Sequence, residues 1–191
     1  MKIIIILTLF LSFAFSTFEE YKEDGRIGVS WSGENMIGAT GVFKFDEKIG
    51  VVATFKTSFE SLFREDGDDF YDYSYQWAEN LGDPLRETDI AYTSLAVGLA
   101  YIWDKFTLYG AVGHTDETEY RRYYDYLHIL GDDGHYWING EEHGGGAYFN
   151  FGFMFSVPNG KYDTQLYIET DSYPKQISIG ASFGMPEDEI E

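Results

Sequence analysis

His114 stands two residues before Asp116, and with a hydroxyl such as Ser94 the three residue types would supply the base, orienting acid and nucleophile of acyl transfer. Serines and carboxylates are abundant in this chain, so the combination arises cheaply, and no catalytic residue is expected. Glu65, Asp66, Asp68 and Asp69 around Gly67 offer the clustered carboxylate oxygens that Ca²⁺ prefers, but not at the spacing of an EF-hand. Asp132 and Asp133 with His135 form a third grouping. At both acidic places a solvated loop is the preferred reading, and neither metal nor cofactor is expected.

What any of these residues can do depends on the elements that carry them. Eight segments alternate between apolar and small or polar residues, at 26–32, 39–45, 50–58, 91–103, 105–114, 147–157, 162–170 and 176–183. In "AYFNFGFMFSV" (147–157), Phe149, Phe151, Phe153 and Phe155 share one face, with Asn150, Gly152, Met154 and Ser156 between them. A period of two is the period of a strand, so the chain is read as all-β. The polar faces carry Arg26, Lys44, Lys56, Asp163, Gln165 and Glu169 besides serines, threonines and glycines. These charges could line a pore or form a buried ion-pair network. The network is favoured, because a narrow eight-stranded barrel is filled by its own side chains.

The phenylalanine face would be the core of a soluble barrel or the outside of a membrane barrel. Several features favour the membrane. Residues 1–16 open with Lys2 and the apolar run "IIIILTLFLSFAF", too short to span a bilayer, and end on Ala14-Phe15-Ser16. This is the pattern of a cleaved signal peptide, with the mature chain starting near Thr17. Glycine and alanine recur on the polar face, as crowding inside a small barrel requires. Phe43, Phe45, Tyr101, Trp103, Phe106, Phe155, Tyr162 and Phe183 all fall near one end of their strands, where a lipid-interface aromatic girdle would lie. Short turns at 46–48, Asp104 and 158–160 alternate with long connections at 59–90 and 115–146. That is the outer-membrane pattern, with short turns inside and long loops outside. The expected fold is an eight-stranded antiparallel up-and-down transmembrane barrel over 17–183, followed by an acidic tail, 184–191.

There is no cysteine, so packing and hydrogen bonds alone must hold the exported chain. The formal charge of -20 argues against nucleic acid and polyanionic glycans as partners.

The hairpin "LAVGLAYIWDKFTLYGAVGHT" (95–115) resembles the central hairpin of the Ail/OmpX/Lom family of small outer-membrane barrels. "GVFKFDEKIGVVATFKTSF" (41–59) is similar to that family's first inner hairpin, and "FGFMFSVPNGKYDTQLYIET" (151–170) to its last. The resemblance implies a Gram-negative outer-membrane location, contact with membrane lipid and lipopolysaccharide, and insertion by the barrel-assembly machinery. It also implies attachment to host or other surface proteins, or defence at the cell surface, by a non-enzymatic monomer. Glu169 matches an inward carboxylate of the family and is expected to pair with Arg26 or a lysine. Two departures stand out: Phe183 is followed by "GMPEDEIE" where the family ends on an aromatic, and the outer connections are more acidic. Small outer-membrane barrels also include enzymes that modify lipid A, but no amphipathic helix precedes the first strand here.

Residues 59–90 carry ten acidic and two basic residues, and 115–146 hold three of the four histidines. The aromatics interleaved there, Tyr71, Tyr73, Tyr75, Trp77, Tyr120, Tyr123, Tyr124, Tyr126, Tyr136 and Trp137, have two readings. They could prolong the strands above the membrane through cross-strand pairs, or they could form a recognition surface. The rival to an adhesive or defensive role is a purely structural envelope barrel with no dedicated ligand.

Overall fold

The computed structural model describes residues 25–33, 36–58, 69–71, 73–127, 130, 134–138, 142–157 and 163–184. The expected signal peptide and acidic tail lie outside them, apart from Gly184. In chain order the elements are β1 (Gly25–Ser32), β2 (Met36–Lys44), β3 (Ile49–Ser58), β4 (Asp69–Tyr71), α1 (Tyr75–Leu81), β5 (Leu85–Ile102), β6 (Phe106–Tyr124), β7 (His135–Ile138), β8 (Glu142–Val157), β9 (Asp163–Ser172) and β10 (Lys175–Gly184). Eight strands pair antiparallel in the ring β1–β2–β3–β5–β6–β8–β9–β10, and β10 closes on β1 from Arg26↔Gly184 to Ser32↔Ser178. Closure leaves no free edge and pairs the backbone groups that hydrocarbon could not solvate.

Alternation decides the two faces. Along β8, Tyr148, Asn150, Gly152 and Met154 are buried, while Phe149, Phe151, Phe153 and Phe155 point outward, Phe151 with 57% of its surface exposed. The same outer face carries Leu95, Val97 and Leu99 on β5, Val112 on β6, Ile168 on β9, and Ile177 and Ile179 on β10. So continuous an apolar band is far beyond the patches a water-soluble monomer tolerates. The phenylalanines are therefore the lipid-facing side of a transmembrane barrel.

The lumen is filled. Val42, Val52, Ala96, Ala100, Tyr109, Ala111, Tyr148, Met154 and Tyr167 form one buried cluster. Two glycines make room for its rings: a Cβ on Gly152 would lie 2.0 Å from Tyr109 Cζ, and one on Gly180 would lie 2.4 Å from Tyr167 Cζ. Crowding is thus the physical reason for small residues on the polar face.

The long connections are shorter than the sequence suggests. β5 begins at Leu85 rather than 91, β6 runs on to Tyr124 rather than 114, and β8 starts at Glu142 rather than 147. At about 3.3 Å per residue, an 18-residue β5 is roughly 60 Å long, whereas a strand needs only about 9–11 residues to cross the hydrocarbon. Its outer half, paired with β6 up to Leu85↔Tyr123, stands above the membrane band. β7 continues this sheet antiparallel to β6, and β4 adds parallel to β7.

Candidate functional site

The acyl-transfer grouping is not assembled. His114 and Asp116 project from the outside of the wall, Nε2 lying 3.1 Å from Oδ1 with both side chains mostly exposed. Ser94 faces the lumen, where its hydroxyl is 2.8 Å from Thr115 Oγ1. Strand alternation places Thr115, not His114, opposite Ser94, so the barrel wall separates the hydroxyl from the imidazole. Glu65, Asp66, Asp68, Asp132 and Asp133 lie outside the described residues, as does the side chain of Asp69, whose backbone pairs in β4. Among the described residues no three or more His, Asp or Glu side chains gather as a metal site.

A charged network crosses the lumen. Lys56 Nζ lies 2.5 Å from Asp171 Oδ2 and 3.0 Å from Glu169 Oε1, all three side chains being buried. Glu169 also accepts from Ser30 Oγ at 3.0 Å and from Tyr109 OH at 2.7 Å. Asn150 Nδ2 donates to Asp171 Oδ1 at 2.7 Å and to Glu169 Oε2 at 3.3 Å, and Gln176 Nε2 donates to Asp171 Oδ2 at 2.8 Å. One ammonium and two carboxylates are costly to desolvate, and this web of donors from five strands is what offsets the cost. The bond expected between Glu169 and a basic residue is made with Lys56. Gln165 sits apart, donating to Ser156 Oγ at 3.0 Å. Arg26 and Lys44 are half-buried at the inner mouth, and the side chain of Asp163 is outside the described part. Asp171 lies beyond the alternating segment 162–170, one further step of two from Glu169, because β9 continues to Ser172.

The β9–β10 turn reaches over part of the outer mouth. Thr115 Oγ1 donates to the Tyr173 carbonyl at 3.2 Å, and Tyr173 OH donates to Glu117 Oε1. The Tyr173 ring meets the Tyr92 ring edge-on, with centroids 6.4 Å apart. Tyr173 directly follows β9, which is three strands from β5 round the ring, so this contact reaches over part of the opening. The hydrogen bond to Glu117 pushes the Tyr173 phenol up to about 12.

Above the membrane band, Ala78, Tyr123, Tyr136 and Ile138 make a second buried cluster, packed against Tyr71, Tyr75, Trp77 and Leu130. Gly82, in the left-handed region at φ 79°, ends α1 with its N–H on Glu79 O at 3.1 Å. Tyr136 OH donates to buried Asp83 at 2.8 Å; burial first, and then this bond, push its phenol up. Arg121 lies 4.1 Å from the Tyr75 ring centre and 2.6 Å from Glu119 Oε1. Arg122 reaches Glu87, its neighbour across the β5–β6 ladder, at 3.9 Å. Of the aromatics considered for recognition, Tyr123, Tyr136 and Trp137 are therefore core residues, and Tyr71, Tyr75, Trp77 and Tyr124 are half-buried. Tyr73 is exposed and stacks on Trp77 at 4.2 Å. Tyr126 and Leu127, at 73% and 62%, are the most exposed large hydrophobic side chains of this layer among the described residues, and nothing in the sequence singles out Leu127.

At the inner end, Tyr101, Trp103 and Phe106 form a chain of rings with centroids 4.0 and 4.3 Å apart. Phe45, Phe155 and Phe183 are exposed on the same outer face, Phe43 is half-buried, and Tyr162 is outside the described residues.

No family profile and no curated protein matches this chain. Solved structures do. One is Ail, the attachment invasion locus protein of Yersinia pestis, in complex with the heparin analogue sucrose octasulfate. Identity is 13%, over 84% of this chain and 93% of that one, with a TM-score of 0.45. The N-terminal β-barrel domain of Pseudomonas aeruginosa OprF matches at 6% identity over 84% and 94%, with a TM-score of 0.39. Neisserial surface protein A matches at 9% over 85% and 94%, with a TM-score of 0.36. Small outer-membrane barrels are thus among the structures it is similar to, while strand pairing and the outward apolar band by themselves make this chain a closed eight-stranded antiparallel transmembrane barrel.

Proposed function

We propose that this chain is a non-enzymatic barrel of a Gram-negative outer membrane, and that its protruding layer of outer β5–β6 with β4, β7 and α1 serves cell-surface adhesion or defence. The observation that carries the reading is the second buried cluster around Tyr123 and Tyr136. A barrel that only occupied the membrane would not need a packed, hydrogen-bonded platform above it. Rigid platforms hold contact residues at low entropic cost, and Tyr73, Tyr126 and Leu127 are the exposed side chains placed to make contact. A charge of -20 disfavours sulfated glycans, so a surface protein is the better partner. Export through a cleaved segment 1–16, insertion by the barrel-assembly machinery and life as a monomer among lipopolysaccharide complete the proposal.

The rival, a structural barrel without a ligand, is favoured by one observation: most of the candidate recognition aromatics are spent on the platform's own core. Cells carrying Tyr73→Ser, Tyr126→Ser and Leu127→Ser together separate the two. Adhesion or serum survival falls at unchanged surface expression under the first reading; unaltered values under both assays would leave the structural one.

A further inference from the structure

At the inner mouth a cavity of about 700 Å³ lies between the β2–β3 and β5–β6 turns. Among the described residues Arg26, Lys44, Lys48 and Lys105 line it, against Glu47 and Asp104 of opposite sign, in a chain whose formal charge is -20. Both turns are pinned: Ile102 N–H donates to Lys48 O at 2.8 Å, and Ser156 N–H donates to Lys105 O at 2.7 Å. Lys48 is thus held against the end of β5 and Lys105 against β8, and neither ammonium is paired with a carboxylate among the described residues. Gathering like charges is unfavourable unless something neutralises them. Thr107, on the cavity wall, is fully buried, and its hydroxyl has no hydrogen-bond partner among the described residues. Trp103 and Phe106 line the same cavity and also belong to the outer chain of rings, which puts the cavity at headgroup depth.

We infer that this cavity is a phosphate-binding site, with Lys48 and Lys105 as its principal charges, Arg26 and Lys44 adding positive potential, and Thr107 contributing a hydroxyl. Tetrahedral oxyanions suit converging ammonium and guanidinium donors. The phosphate comes either from a phospholipid of the inner leaflet or free from the inner compartment. The inference depends on the barrel lying in a bilayer and is independent of any adhesive role.

The test uses the full chain in phosphate-free alkyl-maltoside micelles, reading Trp103 fluorescence with Trp103→Phe as the blank. Inorganic pyrophosphate at constant ionic strength gives a saturable change, weakened about tenfold or more in Lys48→Gln/Lys105→Gln, since one charge-assisted hydrogen bond is worth roughly that factor. Thr107→Val weakens it less. Prior addition of phosphatidylglycerol identifies the source: if it gives the same change and blocks pyrophosphate, the ligand is a headgroup; if it does neither, the ligand is free phosphate. The absence of a saturable change with either probe would overturn the site. So would an equal response in the lysine double variant, whose heat-dependent gel mobility verifies that it is folded.

Discussion

Lys56 is the residue on which the lumen turns, because it is the cation between two buried carboxylates. Lys56→Met strands Glu169 and Asp171 together, and loss of one member of a buried network costs about 3–5 kcal/mol. Urea unfolding of the refolded barrel should show that loss, and Lys56→Met/Glu169→Gln/Asp171→Asn should recover most of it, since a neutral lumen has nothing left to neutralise. Crowding makes a second residue-scale prediction. Gly152→Ala drives a methyl into the Tyr109 ring and should destabilise by about 1–3 kcal/mol or more, whereas a Cβ at Gly146 meets nothing within 4 Å, so Gly146→Ala should be nearly neutral in the same assay. Alternation made the inward positions of Lys56 and Glu169 legible in the sequence. Which donors would meet Glu169 was not, because Tyr109 and Ser30 come from strands that do not adjoin β9, and only barrel register brings them to Asn150 of the neighbouring strand.

At the scale of elements, all eight membrane strands could be read because the bilayer forces a contrast between their faces. The outer halves of β5 and β6 could not. In "LRETDIAY" and "TDETEYRRYY" both faces meet water or a small aromatic core, so the contrast fades while pairing persists. The two connections 33–35 and 173–174 are short although they lie at the outer end, so turn length alone is an imperfect guide to sidedness. Tyr136→Phe removes the bond to Asp83 that ties β7 to the end of α1, and should speed amide exchange in β7 and α1 while leaving the barrel strands unchanged. The Tyr173–Glu117 bond gives the β9–β10 turn a pH dependence. The hydrogen bond to Glu117 raises the phenol's pKa from its ordinary value of about 10 to about 12 in the folded state. Its contribution is therefore complete below about pH 10 and lost as pH rises through about 12. Ultraviolet titration should show a tyrosine step near pH 12, and Tyr173→Phe should remove that step.

For the whole molecule, a lumen filled by a buried side-chain cluster predicts that purified protein in planar bilayers shows no steady ionic conductance. Basic side chains also gather at one end of the axis, Arg26, Lys44, Lys48 and Lys105 lining the inner mouth. The central claim is that the phenylalanine face of β8 looks outward into lipid. The chain has no cysteine, so a nitroxide can be placed at one chosen site. In reconstituted bilayers a label at Phe151→Cys should collide freely with oxygen, which concentrates in lipid, and hardly at all with a water-soluble nickel complex. A label inaccessible to both would place Phe151 in a protein core and contradict the account.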